Sequence, residues 1–378
     1  MSKWKTYRLG EICSDISYGY TESASLETVG PKFLRITDIQ YDFISWDKVP
    51  YCPISKENYK KYKLEIGDIV IARTGASTGA TAIFKDEGID AVFASYLIRY
   101  KIDKEIAYPF YIGQLLKSAL WRSYVTSIIG GSAQPGANAK QFADFEFPLP
   151  DLATQTAIAQ ILTSLDDKIE LNLQMNQTLE AMAQALFKEW FVNFKFPDFD
   201  GELVNGLPKD WKTAKLSSVC EIKYGKDHKH LGNGDIPVYG SGGIMRFADK
   251  ALFEKESILI PRKGTLSNLF YVSKPFWSVD TMFYTIIKDE SIRKYLFYLL
   301  KTLNLASMNV GSAVPSLTTE VLNKIDIIIP KKEVLIDFEE TISTFYSKME
   351  ENINQINSLT QTRDTLLPKL MRGQIELV

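Results

Sequence analysis

Residues 162–190 read LTSLDDKIELNLQMNQTLEAMAQALFKEW, and residues 342–370 read ISTFYSKMEENINQINSLTQTRDTLLPKL. In the first, Leu162, Leu165, Ile169, Asn172, Asn176, Leu179, Ala183, Leu186 and Trp190 step by three and four, the a/d spacing of a coiled-coil seam. A shift of 180 residues lands on Ile342, Phe345, Met349, Asn352, Ile356, Leu359, Arg363, Leu366 and Leu370. Two helices of equal length and phase are expected to close on each other. A polar Asn at the same seam position of each costs stability and fixes register.

Outward from the seam, the rest of the chain is also doubled. WKTYRLGEIC (4–13) answers WKTAKLSSVC (211–220), and ISYG at Ile16 answers IKYG at Ile222. GSAQP from Gly131 answers GSAVP from Gly311, and the apolar runs ending at Pro150 and Pro330 share the offset. Two long copies predict a pseudo-two-fold molecule rather than a solenoid.

Each copy reads as a mixed head followed by its helix, an α+β arrangement. LEIGDIVIA from Leu64 reads as a strand and TGASTG as the turn after it; TAIF and ASYLIRY read as further strands. Tyr108 to Tyr124 reads as one helix. In the second head SILIP from Ser257 and LFYV from Leu269 are strands, and the run from Arg293 is helical. FPDFDGELVNGLPKDW from Phe196 reads as a linker, and antiparallel helices with a head at each end make the simplest closure. Pro368 is expected to end or kink the second helix early, and Gly373 to stop it.

At 378 residues and 45% hydrophobic content the chain can bury two or three cores. No apolar run approaches the roughly 18 residues a membrane span needs, so no membrane and a cytoplasmic setting are expected. Cys13, Cys52 and Cys220 lack metal spacing and read as reduced thiols. With 44 basic against 46 acidic residues, any polyanion surface must be local.

Two catalytic motifs are absent from the sequence. None of the 15 prolines precedes another, which excludes the Pro-Pro-aromatic motif of amino-group DNA methyltransferases. The one Gly-Lys pair, Gly225-Lys226, runs into Asp227, so no phosphate-cradling loop of the G-x-x-x-x-G-K-[ST] kind is present. His228 and His230 lack the partners of a metal site and read as part of a cationic loop with Lys226.

Recognition of DNA requires Arg, Lys, amides and hydroxyls on loops. Arg73, Thr74, Ser77 and Thr78 crowd the turn after GDIVIA. Arg262, Lys263, Thr265, Ser267 and Asn268 crowd the matching turn after SILIP. Arg35, Thr37 and Gln40, with Tyr239, Ser241 and Arg246, form a second rank; Gln134 and Asn138 form a third. Lys56, Lys60, Lys61 and Lys63 are candidates for phosphate contact.

Taken together, WK-x-x-x-L at each head, LRITDI, GDIVIARTGASTGATAIF, GSAQP, PVYGSGG and LLPKLMRGQI resemble the specificity subunit of type I restriction-modification systems across essentially the whole chain. The resemblance implies target recognition domains over 1–150 and, with the linker, over 196–330. It implies spacer helices over 151–195 and 331–378. By the same likeness each head reads half of a split double-stranded DNA site, and the helices dock two modification subunits. Restriction subunits join them. S-adenosylmethionine, ATP and magnesium would sit on those partners, leaving this chain without cofactor, metal or catalysis. A two-headed adaptor that binds proteins, and a methyltransferase with an unrecognised site, are the competing readings.

Overall fold

The structure, a computed structural model, describes residues 4–39, 44–85, 88–129, 136–308 and 316–375. Gln40, Gln134 and both GSA-x-P loops lie outside them. The chain divides into two compact units, residues 1–174 with 352–378, and residues 175–351. Each holds one head and adjoining stretches of both long helices.

In the first unit, β1 (Lys5–Arg8) pairs with β8 (Glu146–Leu149), and β2 (Cys13–Tyr18), β4 (Ile69–Ala72), β5 (Thr81–Ile83) and β7 (Leu97–Ile102) form an antiparallel sheet ordered β2-β7-β4-β5. β3 (Lys32–Leu34) runs parallel to β6 (Ala91–Phe93). Helices α1 (Lys56–Tyr62), α2 (Pro109–Leu115), α3 (Ala119–Ile129) and α4 (Ala139–Ala143) complete the head.

The second unit repeats this plan. β11 (Lys212–Lys215) pairs with β19 (Asp326–Ile329), and β12 (Cys220–Tyr224), β15 (Ser257–Pro261), β16 (Phe270–Val272) and β18 (Met282–Ile287) are ordered β12-β18-β15-β16. β13 (Ile236–Gly240) runs parallel to β17 (Trp277–Ser278) and antiparallel to β14 (Gly243–Ala248). Helices α6 (Arg293–Thr302) and α7 (Thr319–Asn323) follow.

Within GDIVIA and SILIP, residues 69–72 and 258–261 are unbroken apolar runs because their strands are covered on both faces. Ile69 and Ile71 enter the main core with Tyr100, Trp121, Phe142 and Phe147, while Val70 and Ala72 enter a second core with Phe84 and Phe93. Ile258 and Ile260 split from Leu259 in the same way. Burial pushes the Cys13 and Cys220 thiols up to about 12, and all three cysteines are free.

Three local expectations change. Residues 64–68 are a turn rather than strand: Gly67 has φ +94°, and the Asp68 carboxylate accepts from Glu65 N at 2.9 Å. Tyr108–Tyr124 is two helices, because Ser118 interrupts it and its Oγ accepts from Trp121 N at 3.4 Å. The "linker" contains a hairpin, β9 (Leu203–Val204) with β10 (Leu207–Pro208), turned on Asn205-Gly206 with φ +53° and +80°. Such a two-residue turn matches strand twist and favours Asn-Gly.

The long helices are α5 (Leu152–Phe187), continued by a wider π-helical turn over Lys188–Val192, and α8 (Lys332–Leu370). Asp151 starts α5 by accepting from Thr154 N at 2.8 Å. α8 continues through Pro368 to Leu370, contrary to the expected early stop. In its last turn a proline costs few internal bonds, Leu370 is buried, and the chain stops at Gly373, φ +62°.

The pairing is antiparallel in each unit. In the first, Asp166 meets Arg363 and Asn172 Nδ2 donates to Gln355 Oε1 at 3.2 Å. In the second, Asn176 Nδ2 donates to Met349 O at 3.3 Å and Phe187 packs on Phe338. Leu162, Ile169, Asn172, Ala183, Ile342 and Asn352 are buried, and Leu165, Leu179, Leu186, Phe345, Met349, Ile356, Leu359 and Leu366 partly so.

Asn172 is fully buried, and its Oδ1 has no partner among the described residues. Asn172→Leu is therefore expected to stabilise the first unit by about 1 kcal/mol, read as a raised urea midpoint. A lowered midpoint would show that the bond to Gln355 outweighs the cost of burial.

Candidate functional site

The two turns singled out by their arginines are built alike. Arg73 leaves β4, its Nε donates to Ser95 O at 3.2 Å, and its guanidinium lies over the Tyr18 ring, 5.2 Å from the centroid. Arg262 leaves β15, its Nη1 donates to Asp280 O at 3.1 Å, and its guanidinium lies 5.5 Å from the centroid of Tyr224. Backbone bonds repeat too. Arg73 N donates to Tyr96 O and Arg262 N to Thr281 O, while Ala137 N reaches Arg73 O and Leu317 N reaches Arg262 O, each of the last two at 2.9 Å.

The tyrosines sit at the ends of β2 and β12, each before a glycine that admits no side chain. A Cβ on Gly19 would meet Ala94 O at 2.2 Å, and one on Gly225 would meet Val279 O at 2.0 Å. This close approach sets each Tyr beside its Arg, with Tyr18 43% and Tyr224 50% exposed. One guanidinium edge is tied to a carbonyl and its face rests on a ring, so little rotamer entropy remains to be lost on binding.

Around Arg73, Thr74 bridges to Gly136, Ser77 O accepts from Ala80 N, and Thr78 Oγ1 donates to Gly75 O at 2.7 Å. Around Arg262, Lys263 bridges to Ser316, and Lys263, Thr265, Ser267 and Asn268 are exposed. Asn268 Nδ2 donates to Ser241 O at 2.9 Å, which joins the VYGSGG turn to this loop. Lys226 is exposed nearby in sequence to Tyr224.

Other candidates are engaged within the chain. Arg35 makes a two-pronged pair with Asp38, 3.0 Å from Nε and 2.9 Å from Nη2, and Thr37 Oγ1 is 3.5 Å from the same carboxylate. Arg246 Nη2 donates to Leu231 O and Gly232 O at 2.8 and 2.9 Å. Tyr239 packs on Phe270 and Phe276, and burial raises its pKa. Asn138 caps α4, accepting from Gln141 N at 3.0 Å. Lys56, Lys60, Lys61 and Lys63 are exposed on or beside α1.

Neither Tyr18 nor Tyr224 is among the residues expected at the site from the sequence. Their signal was present as the shared I-x-Y-G.

Comparison with known proteins follows the same duplication. A family model described as "Type I restriction modification DNA specificity domain" matches residues 1–181 and 208–362. The Type I restriction enzyme HindI specificity subunit of Haemophilus influenzae is 26% identical, covering 99% of this chain and 100% of its own. The MjaIX specificity subunit of Methanocaldococcus jannaschii is 26% identical over 71% of this chain and 69% of its own. The crystal structure of a type I restriction-modification S subunit from M. genitalium shares the fold with a TM-score of 0.63, at 16% identity, over 99% of this chain and 97% of that one. With both repeats matched over most of their length, the chain belongs to the family of type I restriction-modification specificity subunits.

Proposed function

We propose that the chain reads a split, asymmetric site on double-stranded DNA and leaves the chemistry to its partners. The domains over 1–150 and 196–330 each read one half, and the helices over 151–195 and 331–378 hold them at a set separation. The helices dock two modification subunits, which bring S-adenosylmethionine, and the restriction subunits bring ATP, magnesium and cleavage, all in the cytoplasm. Among the described residues no helix is long and apolar enough to cross a membrane.

The observation that carries this reading is the repeated Arg–Tyr site with unlike surroundings. A shared frame presents one preorganised arginine per head, and the side chains beside it differ between Thr74-Gly75-Ala76-Ser77 and Lys263-Gly264-Thr265-Leu266. Arginine held in this way suits two-pronged contact with guanine in the major groove.

The test is binding of duplex DNA by the chain assembled with its modification subunits, over a range of salt. Neutralising several phosphates predicts an affinity loss of about a thousandfold or more between about 50 and 200 mM salt. A flat response, with scrambled DNA bound equally well, would favour the protein-binding adaptor.

A further inference from the structure

The first head is tied to both helices through one buried carboxylate. Asp166 of α5, 11% exposed, accepts from Gln114 Nε2 at 2.8 Å and Lys117 Nζ at 2.9 Å, at the end of α2 and just after it. Its other oxygen accepts from Arg363 Nη1 of α8 at 2.9 Å, and that arginine is 12% exposed. Alongside, Lys85 follows β5 and bridges Asp167 and Glu170 at 2.7 Å each. Burial alone would raise the Asp166 pKa. Lys117, Gln114 and Arg363 outweigh it and hold the carboxyl below its usual range.

The second unit joins head and helix differently. There Tyr298, Tyr346, Tyr271 and Phe297 pack together, and Glu180 and Glu339 take Lys301 and Lys294 at 2.7 Å each. Each of those carboxylates binds the head from one helix, Glu180 from α5 and Glu339 from α8. Asp166 instead ties the head, α5 and α8 together at a single point, through three bonds that each have a preferred distance and angle. Buried ion pairs are poor sources of net stability, so the use of such a cluster is sought in geometry.

We propose that Asp166 is a positioning residue that fixes the angle of the first head on the helix pair, and through it the number of unread base pairs between half-sites. The inference rests on the DNA-reading function proposed above. One extra base pair shifts a half-site by about 3.4 Å and turns it by about 34°, so a joint that gives by that much admits a neighbouring spacer length.

The experiment selects binders from a randomised duplex library, using the full chain assembled with its modification subunits, for wild type, Asp166→Ala and Lys117→Met. Wild type is expected to return two half-site motifs at a single spacing. Asp166→Ala is expected to return the same two motifs, with discrimination against spacings one base pair off reduced by about tenfold or more. Lys117→Met, which removes one donor from the rim, reads the same widening more weakly and serves where Asp166→Ala does not assemble. A single unchanged spacing in the variants overturns the inference, as does loss of the first motif, which would place Asp166 at the reading surface. A wild-type selection with no bipartite motif overturns the DNA-reading function itself, and this inference with it.

Discussion

Arg73→Ala is expected to remove discrimination at one half-site and leave the other intact, at about 1–3 kcal/mol if the contact is two-pronged to guanine. Arg262→Ala is expected to do the same at the other half. The structure sharpens the expectation, because each side chain is already oriented by a carbonyl and a tyrosine ring. Lys at either position keeps the charge and loses the fork, so Arg73→Lys should resemble Arg73→Ala. The measurement is competition binding with duplexes mutated in one half-site at a time. Equal loss against every duplex would mean that these arginines hold phosphate rather than read bases.

The largest effect on stability is expected for Phe338→Ala. This ring is fully buried at the start of α8, with centroids of Phe191, Trp190, Phe187 and Tyr298 at 4.9, 5.8, 6.3 and 6.4 Å. It stands where both helices and the second head share one core, so truncation should cost about 3–5 kcal/mol. Hydrogen exchange should show faster opening of β15 and β18, with β4 and β7 little changed. A change below about 1 kcal/mol would show that neighbouring rings close the cavity.

Much of the architecture was readable because it is written twice. The seam needed only periodicity, and GDIVIA and SILIP announced strands, though not that both of their faces are covered. Asn205-Gly206 was a hairpin signal hidden inside a stretch rich in Pro, Gly and Asp. The break at Ser118 was harder, since it depends on one hydroxyl capping a turn. The Arg73–Tyr18 stack was out of reach: 55 residues separate the pair, and only the close passage of Gly19 along Ala94 brings them together. Arg35 is the opposite case, because Asp38 three residues on was visible as a partner for it.

The segment after α5 has a mechanical meaning. Phe194 and Phe196 both pack on Trp211, the latter stacked at 5.3 Å, and the Asn205-Gly206 hairpin takes up much of the chain between them. A loose tether would let the second reader search a volume, so that its local concentration fell gradually with distance along the DNA. A strapped one offers no such search. Under the DNA-reading function proposed above, stringency toward the second half-site would then come from the absence of slack between that head and its helix.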